Sequence, residues 1–344
     1  MNLSPFVDNL RGKNSDLLGM FSRSRWFLFP YARLALWRLL KTIFSSGKRR
    51  IYLPGFICRG LLSAIAQSGN EAVFYEVDEH LNPILDFSVS ASAIVAVNYF
   101  GFPQPLSPFL EYSRKQGALL IEDNAHGFGS KSKTDEFLGT RGDFGLFSFR
   151  KTFAFPSGGG LLINNPSYFS KRFFSSGAAL KEKDLFFLVK RILRRFLRAS
   201  GDWLGIGFLR LRRYLRVLQT GFPLPQSNAE SECELPEDRM LSPFFKPSRV
   251  TIDLGKESRR RRESFRRVKM LSSSFCIKPL YENLEPGTVP YCFPFQASGT
   301  EAERFEQFLF TEGFFVLPWP DLPERVAKSC PAFYSQIFMV PFLW

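Results

Sequence analysis

The chain has 344 residues, 45% of them apolar, enough for a sizeable core in one large domain with a smaller second one. Its formal net charge of +14 is unevenly spread, so it speaks about the partners of one segment and not about the fold. Cys58, Cys233, Cys276, Cys292 and Cys330 have no paired spacing, which excludes a disulfide framework or a metal site of zinc type. No uncharged apolar stretch reaches the ~20 residues of a membrane span. Arg11, Lys13, Arg23 and Arg25 break up any signal-type segment, so a reducing cytoplasm is the expected compartment.

Residues 1–30 read as an irregular lead-in. From Tyr31 to Phe44, Leu36, Leu39, Leu40 and Ile43 fall at helical spacing behind Pro30, which predicts the first helix of a large domain over 31–180. Then come a short apolar run at Ile51 to Leu53, a helix near Cys58 to Ala66, a strand from Val73 to Val77 and the apolar run Ala93 to Val97. Short apolar runs alternating with helical patterns predict an α/β fold with a mostly parallel sheet covered on both faces. Asn98 and Tyr99 end one strand at the rim where ligands of such sheets sit; a plain turn is the simpler reading of both.

The most informative stretch runs from Ala118 to Asn164. The apolar run Ala118 to Ile121 stops on Glu122 and Asp123 and opens into a glycine-dotted loop carrying His126. A second run, Phe144 to Phe149, leads into Arg150 and Lys151, and Gly158, Gly159 and Gly160 introduce a third, Leu161 to Ile163. Strands that deliver side chains to one rim place Asp123, His126, Ser148 and Lys151 around one crevice. Those residue types suit pyridoxal phosphate, which needs a lysine for its Schiff base and a fixed carboxylate beside its pyridine nitrogen. A His beyond that Asp reaches the cofactor's phenolic oxygen, and a Ser hydroxyl with backbone N–H groups holds its phosphate.

The pieces Ile121 to Gly129, Gly139 to Phe149 and Ser157 to Gly160 resemble, in order and spacing, the DegT/DnrJ/StrS-type sugar aminotransferases of the aspartate aminotransferase fold. The resemblance implies a pyridoxal-phosphate-dependent transferase fold with a smaller α+β C-terminal domain, Asp123 on the pyridine nitrogen and Lys151 on the cofactor aldehyde. It further implies that the first helix offers its N-terminal amides to the phosphate at Ala32 and Arg33, and an aromatic, Trp37, to the ring. Most members place two more residues between the Ser-Phe pair and the lysine. That shortened spacing separates a working aminotransferase from the alternative, a catalytically inactive binding protein of the same fold.

Residues 181–217 change character, with eleven Lys or Arg against three Asp or Glu, a net +8 of the chain's +14. Leu185, Leu188, Val189, Ile192, Leu193 and Phe196 take one helical face and Lys190, Arg191, Arg194, Arg195 and Arg198 largely the other. Such a basic amphipathic segment fits an anionic membrane surface, with Trp203 at the interface, or an acidic partner; packing on its own domain or on a dimer mate is the simpler reading. Residues 181–249 are therefore expected as a basic helical insert followed by a Pro- and Ser-rich linker.

Residues 250–344 are expected to form a connecting helix and a small domain, shortened relative to the family. Arg259 to Arg262 suggest nucleic acid, but Ile252, Leu254, Phe265, Val268 and Leu271 give that helix a buried face, and nucleic acid is not expected. Strands are predicted from Tyr291 to Phe295 and from Phe314 to Pro320, with a helix between. The resemblance implies a homodimeric aminotransferase taking a nucleotide-linked keto-sugar and glutamate in envelope polysaccharide or lipopolysaccharide biosynthesis.

Overall fold

The structure is a computed structural model and describes residues 25–153, 155–169, 173, 175–182, 184–187, 189, 215, 218–219, 229–237, 240–243, 245 and 254–342. Most of the lead-in, Lys171, most of the basic insert and residues 250–253 lie outside them. In chain order the elements are β1 (Trp26–Phe29), α1 (Ala32–Ile43), β2 (Arg50–Pro54), α2 (Leu62–Gln67), β3 (Glu71–Val77), β4 (Pro83–Ile84), β5 (Ala93–Val97) and α3 (Ser107–Gln116). They continue with β6 (Leu119–Asp123), β7 (Phe144–Phe147), α4 (Phe149–Thr152), β8 (Gly159–Ile163), α5 (Leu254–Ser272), β9 (Lys278–Pro279), β10 (Cys292–Gln296), α6 (Gly299–Thr311), β11 (Leu317–Pro318), α7 (Glu324–Ala327) and β12 (Ile337–Pro341).

The first sheet has the order β1-β8-β7-β6-β5-β2-β3-β4. From β3 through β2, β5 and β6 to β7 every pair is parallel. Every residue of β5, β7 and β8 is buried, as a parallel sheet sandwiched between helices requires. The buried side of α1 is Leu34, Ala35, Leu36, Leu39 and Leu40, the apolar stripe read from its spacing. α3 stops where Gly117 takes a left-handed conformation, φ 65°, open to glycine at no steric cost.

Three expectations change. Residues 26–29 are not irregular: they form β1, antiparallel to β8 with Trp26 opposite Leu162 and Phe29 opposite Gly159. The three glycines do not merely introduce a strand, because Gly159 and Gly160 belong to β8 itself. The stretch expected as a linker buries Leu235, Leu241 and Ser242.

The second sheet is antiparallel, in the order β11-β12-β10-β9. Its inner strand β12 pairs with β10 over five residues, from Cys292 with Pro341 to Gln296 with Ile337. The strand expected from Phe314 to Pro320 shrinks to the two residues of β11. One continuous apolar cluster joins both sheets, from Phe29 to Phe342. A separate cluster of Trp26, Phe128, Phe147, Phe149, Phe153, Leu162, Leu241 and Phe245 lies around the turn after β7. Among the described residues no helix is long and apolar enough to cross a membrane.

Candidate active site

Because β2, β5, β6 and β7 run parallel, their carboxyl ends share one rim, and β8, running the other way, begins there. Asp123 closes β6, with Ala125 N–H donating to its Oδ1 at 3.0 Å. Its neighbour Glu122, fully buried, serves a different purpose. It accepts from Arg141 Nε at 2.9 Å, Arg141 N at 3.0 Å and Asn98 Nδ2 at 2.8 Å, which ties the loop from 124 to 143 back onto β5 and β6. Gly127 is obligatory within that loop, since a Cβ there would meet Asn124 Oδ1 at 2.2 Å.

Lys151 rides on α4, a single turn begun by Ser148. Lys151 N–H donates to Ser148 O at 3.0 Å and Phe153 N–H to Phe149 O at 2.7 Å. Phe149 and Phe153 sink into the aromatic cluster, packing edge-on to Phe128 at 5.4 and 5.5 Å. Lys151, midway between them, is turned to the opposite side, where its Nζ lies 3.0 Å from His126 Nε2. Burial pushes the lysine's pKa down; Cys58 and Asp123 oppose that, and Arg150 and Arg33 add to it. Burial also pushes His126 well down, helped by Lys151 and Arg261. The imidazole is therefore neutral, and its Nε2 can accept from the lysine amine. Asp123 is raised by burial, against the pull of Lys151 and of its bond from Ala125.

Arg33 lies at the start of α1. Burial lowers its pKa, as does the charge of Arg150, with Cys58 also within its field. No side chain caps this helix and its first turn holds no acid, so two guanidiniums and the positive end of the helix meet at one spot. Gly159 makes the approach possible: a Cβ there would sit 2.3 Å from Tyr31 C and 2.5 Å from Ala32 N. Ser148 is buried and its side chain makes no capping bond to α4.

Trp37 does not join this group. It sits one helical turn further along α1, about 6 Å down the axis, where its indole N–H donates to Gln67 O at 3.2 Å and Arg38 lies over its ring at 4.9 Å. The rings beside the site come from elsewhere. Tyr291, just before β10, stacks on His126 at 4.4 Å and 6°. Phe100 lies parallel to the imidazole at 6.1 Å, and Trp319 meets it at 5.4 Å and 62°. Three distant segments supply them, and nothing in their local sequence marks them. Cys58 is a further arrival, its thiol raised by burial and lowered in turn by Lys151. Its place four residues past the end of β2 is the one signal that pointed to it.

This donor set fits pyridoxal phosphate. A buried carboxylate, a lysine amine that burial disposes to lose its proton, a neutral imidazole and a cationic helix start are its complements. Among the described residues no group of His, Cys, Asp and Glu is arranged to hold a metal ion.

Residues 54–184 match the model of the DegT/DnrJ/EryC1/StrS aminotransferase family. The chain is similar to the GDP-perosamine synthase of Escherichia coli O157:H7, 28% identical over 141 residues that make up 38% of each chain. It is also similar to the dTDP-4-dehydro-2,3,6-trideoxy-D-glucose 4-aminotransferase of Saccharopolyspora spinosa, 33% identical over 105 residues, 29% of this chain and 27% of that protein. Both matches thus span well under half of the relative. Helicobacter pylori PseC, an aminotransferase involved in the biosynthesis of pseudoaminic acid, shares the fold with a TM-score of 0.62 at 15% identity, over 96% of this chain and 86% of that one.

Proposed function

We propose that the chain is a pyridoxal-phosphate-dependent aminotransferase that moves an amino group from glutamate to a nucleotide-linked keto-sugar, as a homodimer, in envelope polysaccharide or glycolipid biosynthesis. The observation that carries this reading is the contact of Lys151 Nζ with His126 Nε2 at 3.0 Å, on the rim that Asp123 closes. When bound, pyridoxal phosphate supplies an electron sink that acidifies the C–H bond next to the transferred nitrogen.

The chain's own residues do the rest. Asp123 holds a proton on the ring nitrogen by its negative charge in a site shielded from water. Lys151, whose pKa is depressed, is free to take the proton from the substrate carbon and return it on the other side of the transfer. His126 positions that amine and would hydrogen-bond the cofactor's phenolic oxygen. Arg33, the first amides of α1 and the Ser148 hydroxyl would hold the phosphate. Two residues beyond Lys151, where most members of the family carry their lysine, Phe153 is buried in the aromatic cluster, so the amine at 151 is the one that faces the rim.

The test is direct. Purified protein incubated with pyridoxal phosphate is expected to show a cofactor absorption band that borohydride abolishes, leaving the pyridoxyl group on the peptide containing Lys151. Glutamate is then expected to give 2-oxoglutarate when a nucleotide keto-sugar is supplied. Absence of both cofactor retention and borohydride labelling overturns the reading in favour of an inactive binding protein of this fold.

A further inference from the structure

A four-residue turn such as α4 cannot hold its own shape, since a single helical turn gains too few hydrogen bonds for the dihedrals it fixes and leaves its last carbonyls without partners. In this chain one of those carbonyls is taken from a distance. Arg261 of α5, fully buried, donates from Nη2 to Thr152 O at 2.7 Å. Its other side is pinned: Nε donates to Glu257 Oε1 at 2.7 Å. Glu257 is 3% exposed; burial raises its carboxyl, but Arg261 and Arg260 outweigh that and hold it below the usual range.

The contacts then return to the lysine by another route. Arg260 donates to both Glu257 oxygens, at 2.9 and 2.7 Å, and to Phe342 O at 2.8 Å, beyond the end of β12. Phe342 N–H donates to Tyr291 O at 3.2 Å. Tyr291 stacks on His126, and His126 meets Lys151. A closed circuit of bonds and ring contacts therefore links the turn that carries Lys151, the charged face of α5, the last strand of the small sheet and the imidazole.

We propose that Arg261 is a positioning residue: held by Glu257, its guanidinium caps the turn bearing Lys151 and sets the direction of that amine toward His126. The cation placed at the C-terminal end of the turn also complements its dipole. Removing one member of a buried pair leaves the other charge unpaired, whereas replacing both with apolar groups of similar size is often tolerated. The informative variant is therefore the double substitution Arg261→Met with Glu257→Met, with Arg261→Lys beside it, which keeps the charge but not the two-sided reach.

This inference rests on the proposed role of Lys151, and its test is arranged to stand apart from turnover. In full-length protein freed of cofactor, the rate at which trinitrobenzenesulfonate labels Lys151 is followed against pH by peptide mass, with surface lysines of the same digest as references. The wild type is expected to label with a midpoint below theirs. The double variant and Arg261→Lys, with native circular dichroism, are expected to move that midpoint up by about one pH unit, a tenfold change in proton concentration. Their kcat in the loaded enzyme should fall at least tenfold with KM for glutamate changed less than threefold. If either variant folds and keeps both the wild-type midpoint and the wild-type kcat, Arg261 and Glu257 are packing elements only and the proposal is overturned. A wild type that binds no pyridoxal phosphate would sink the functional reading alone, because the labelling midpoints still decide the positioning role.

Discussion

Burial lowers the pKa of Lys151, and the nearby Arg150 and Arg33 add to it against Cys58 and Asp123, so its amine is deprotonated at lower pH than an ordinary lysine. Lys151→Ala is expected to lose at least about a hundredfold in transamination while melting at the wild-type temperature, since the side chain packs on nothing that the turn needs. Asp123 works in the opposite sense. Its pKa is raised by burial, so above the ordinary carboxylate pKa, and hence at neutral pH, the group costs folding free energy instead of adding to it. Asp123→Asn is therefore expected to keep or gain thermal stability at pH 7 and to lose more than about tenfold in turnover, about 1.4 kcal/mol. His126 sets the acid side of stability. Its folded pKa lies well below the usual value, so between about pH 6.5, where an unfolded histidine takes a proton, and that lower pKa the unfolded state binds more protons and stability falls as pH falls. His126→Gln should lose less stability than the wild type between pH 7.5 and pH 5 in denaturant titrations. Equal slopes would mean that the imidazole is not held neutral.

Individual elements owe their placement to close backbone approaches. The start of α1 reaches the rim because β8 passes it without a side chain at Gly159, where a Cβ would lie within 2.7 Å of three backbone atoms of Tyr31 and Ala32. Gly159→Ala forces strand and helix apart, and overpacking of this kind costs about 1–3 kcal/mol. The variant is expected to melt lower and to bind pyridoxal phosphate more weakly, as read by equilibrium titration of the apoprotein; unchanged affinity would detach the α1 N-terminus from the phosphate. α4 shows the same dependence in another form, since four residues can point a lysine only while Phe149 and Phe153 are buried below it and Arg261 caps it.

At the scale of the molecule, the two sheets are fastened directly across the site. Val77 N–H, at the end of β3, donates to Tyr334 Oη at 3.0 Å, from the turn that leads into β12. Burial raises that phenol to about 12, so it stays protonated at neutral pH. Arg59, after β2, donates to Leu322 O at 3.1 and 2.8 Å and lies 3.2 Å from Asp321. Tyr334→Phe leaves the buried Val77 N–H without its acceptor, a loss of about 1–3 kcal/mol expected in urea unfolding. If the sheets are coupled through this contact, the same variant should also weaken the stacking of Tyr291 on His126, read as a changed pH dependence of Lys151 labelling.

What the sequence determined by itself is the part carried by local pattern. The run from Ala93 to Val97, the carboxylates closing Leu119–Asp123, the apolar stripe of α1 and the lysine two residues after Phe149 each follow from residues adjacent in the chain, because strand and helix periods are local properties. They were sufficient to read the α/β architecture and a crevice with Asp123, His126, Ser148 and Lys151, whereas Arg33 entered only through the family resemblance. What only the tertiary structure decided depends on separations of dozens to hundreds of residues. β1 looks irregular until β8 is beside it, and Trp37 is a turn too far along its helix to reach the site. Tyr291, Phe100 and Trp319 gather around one imidazole from three segments. Arg261 reads as one of four consecutive arginines, and its burial is fixed only when Glu257 and Thr152 O close around it. A buried charge is stable where partners surround it, and partners from other segments are not written in the local sequence.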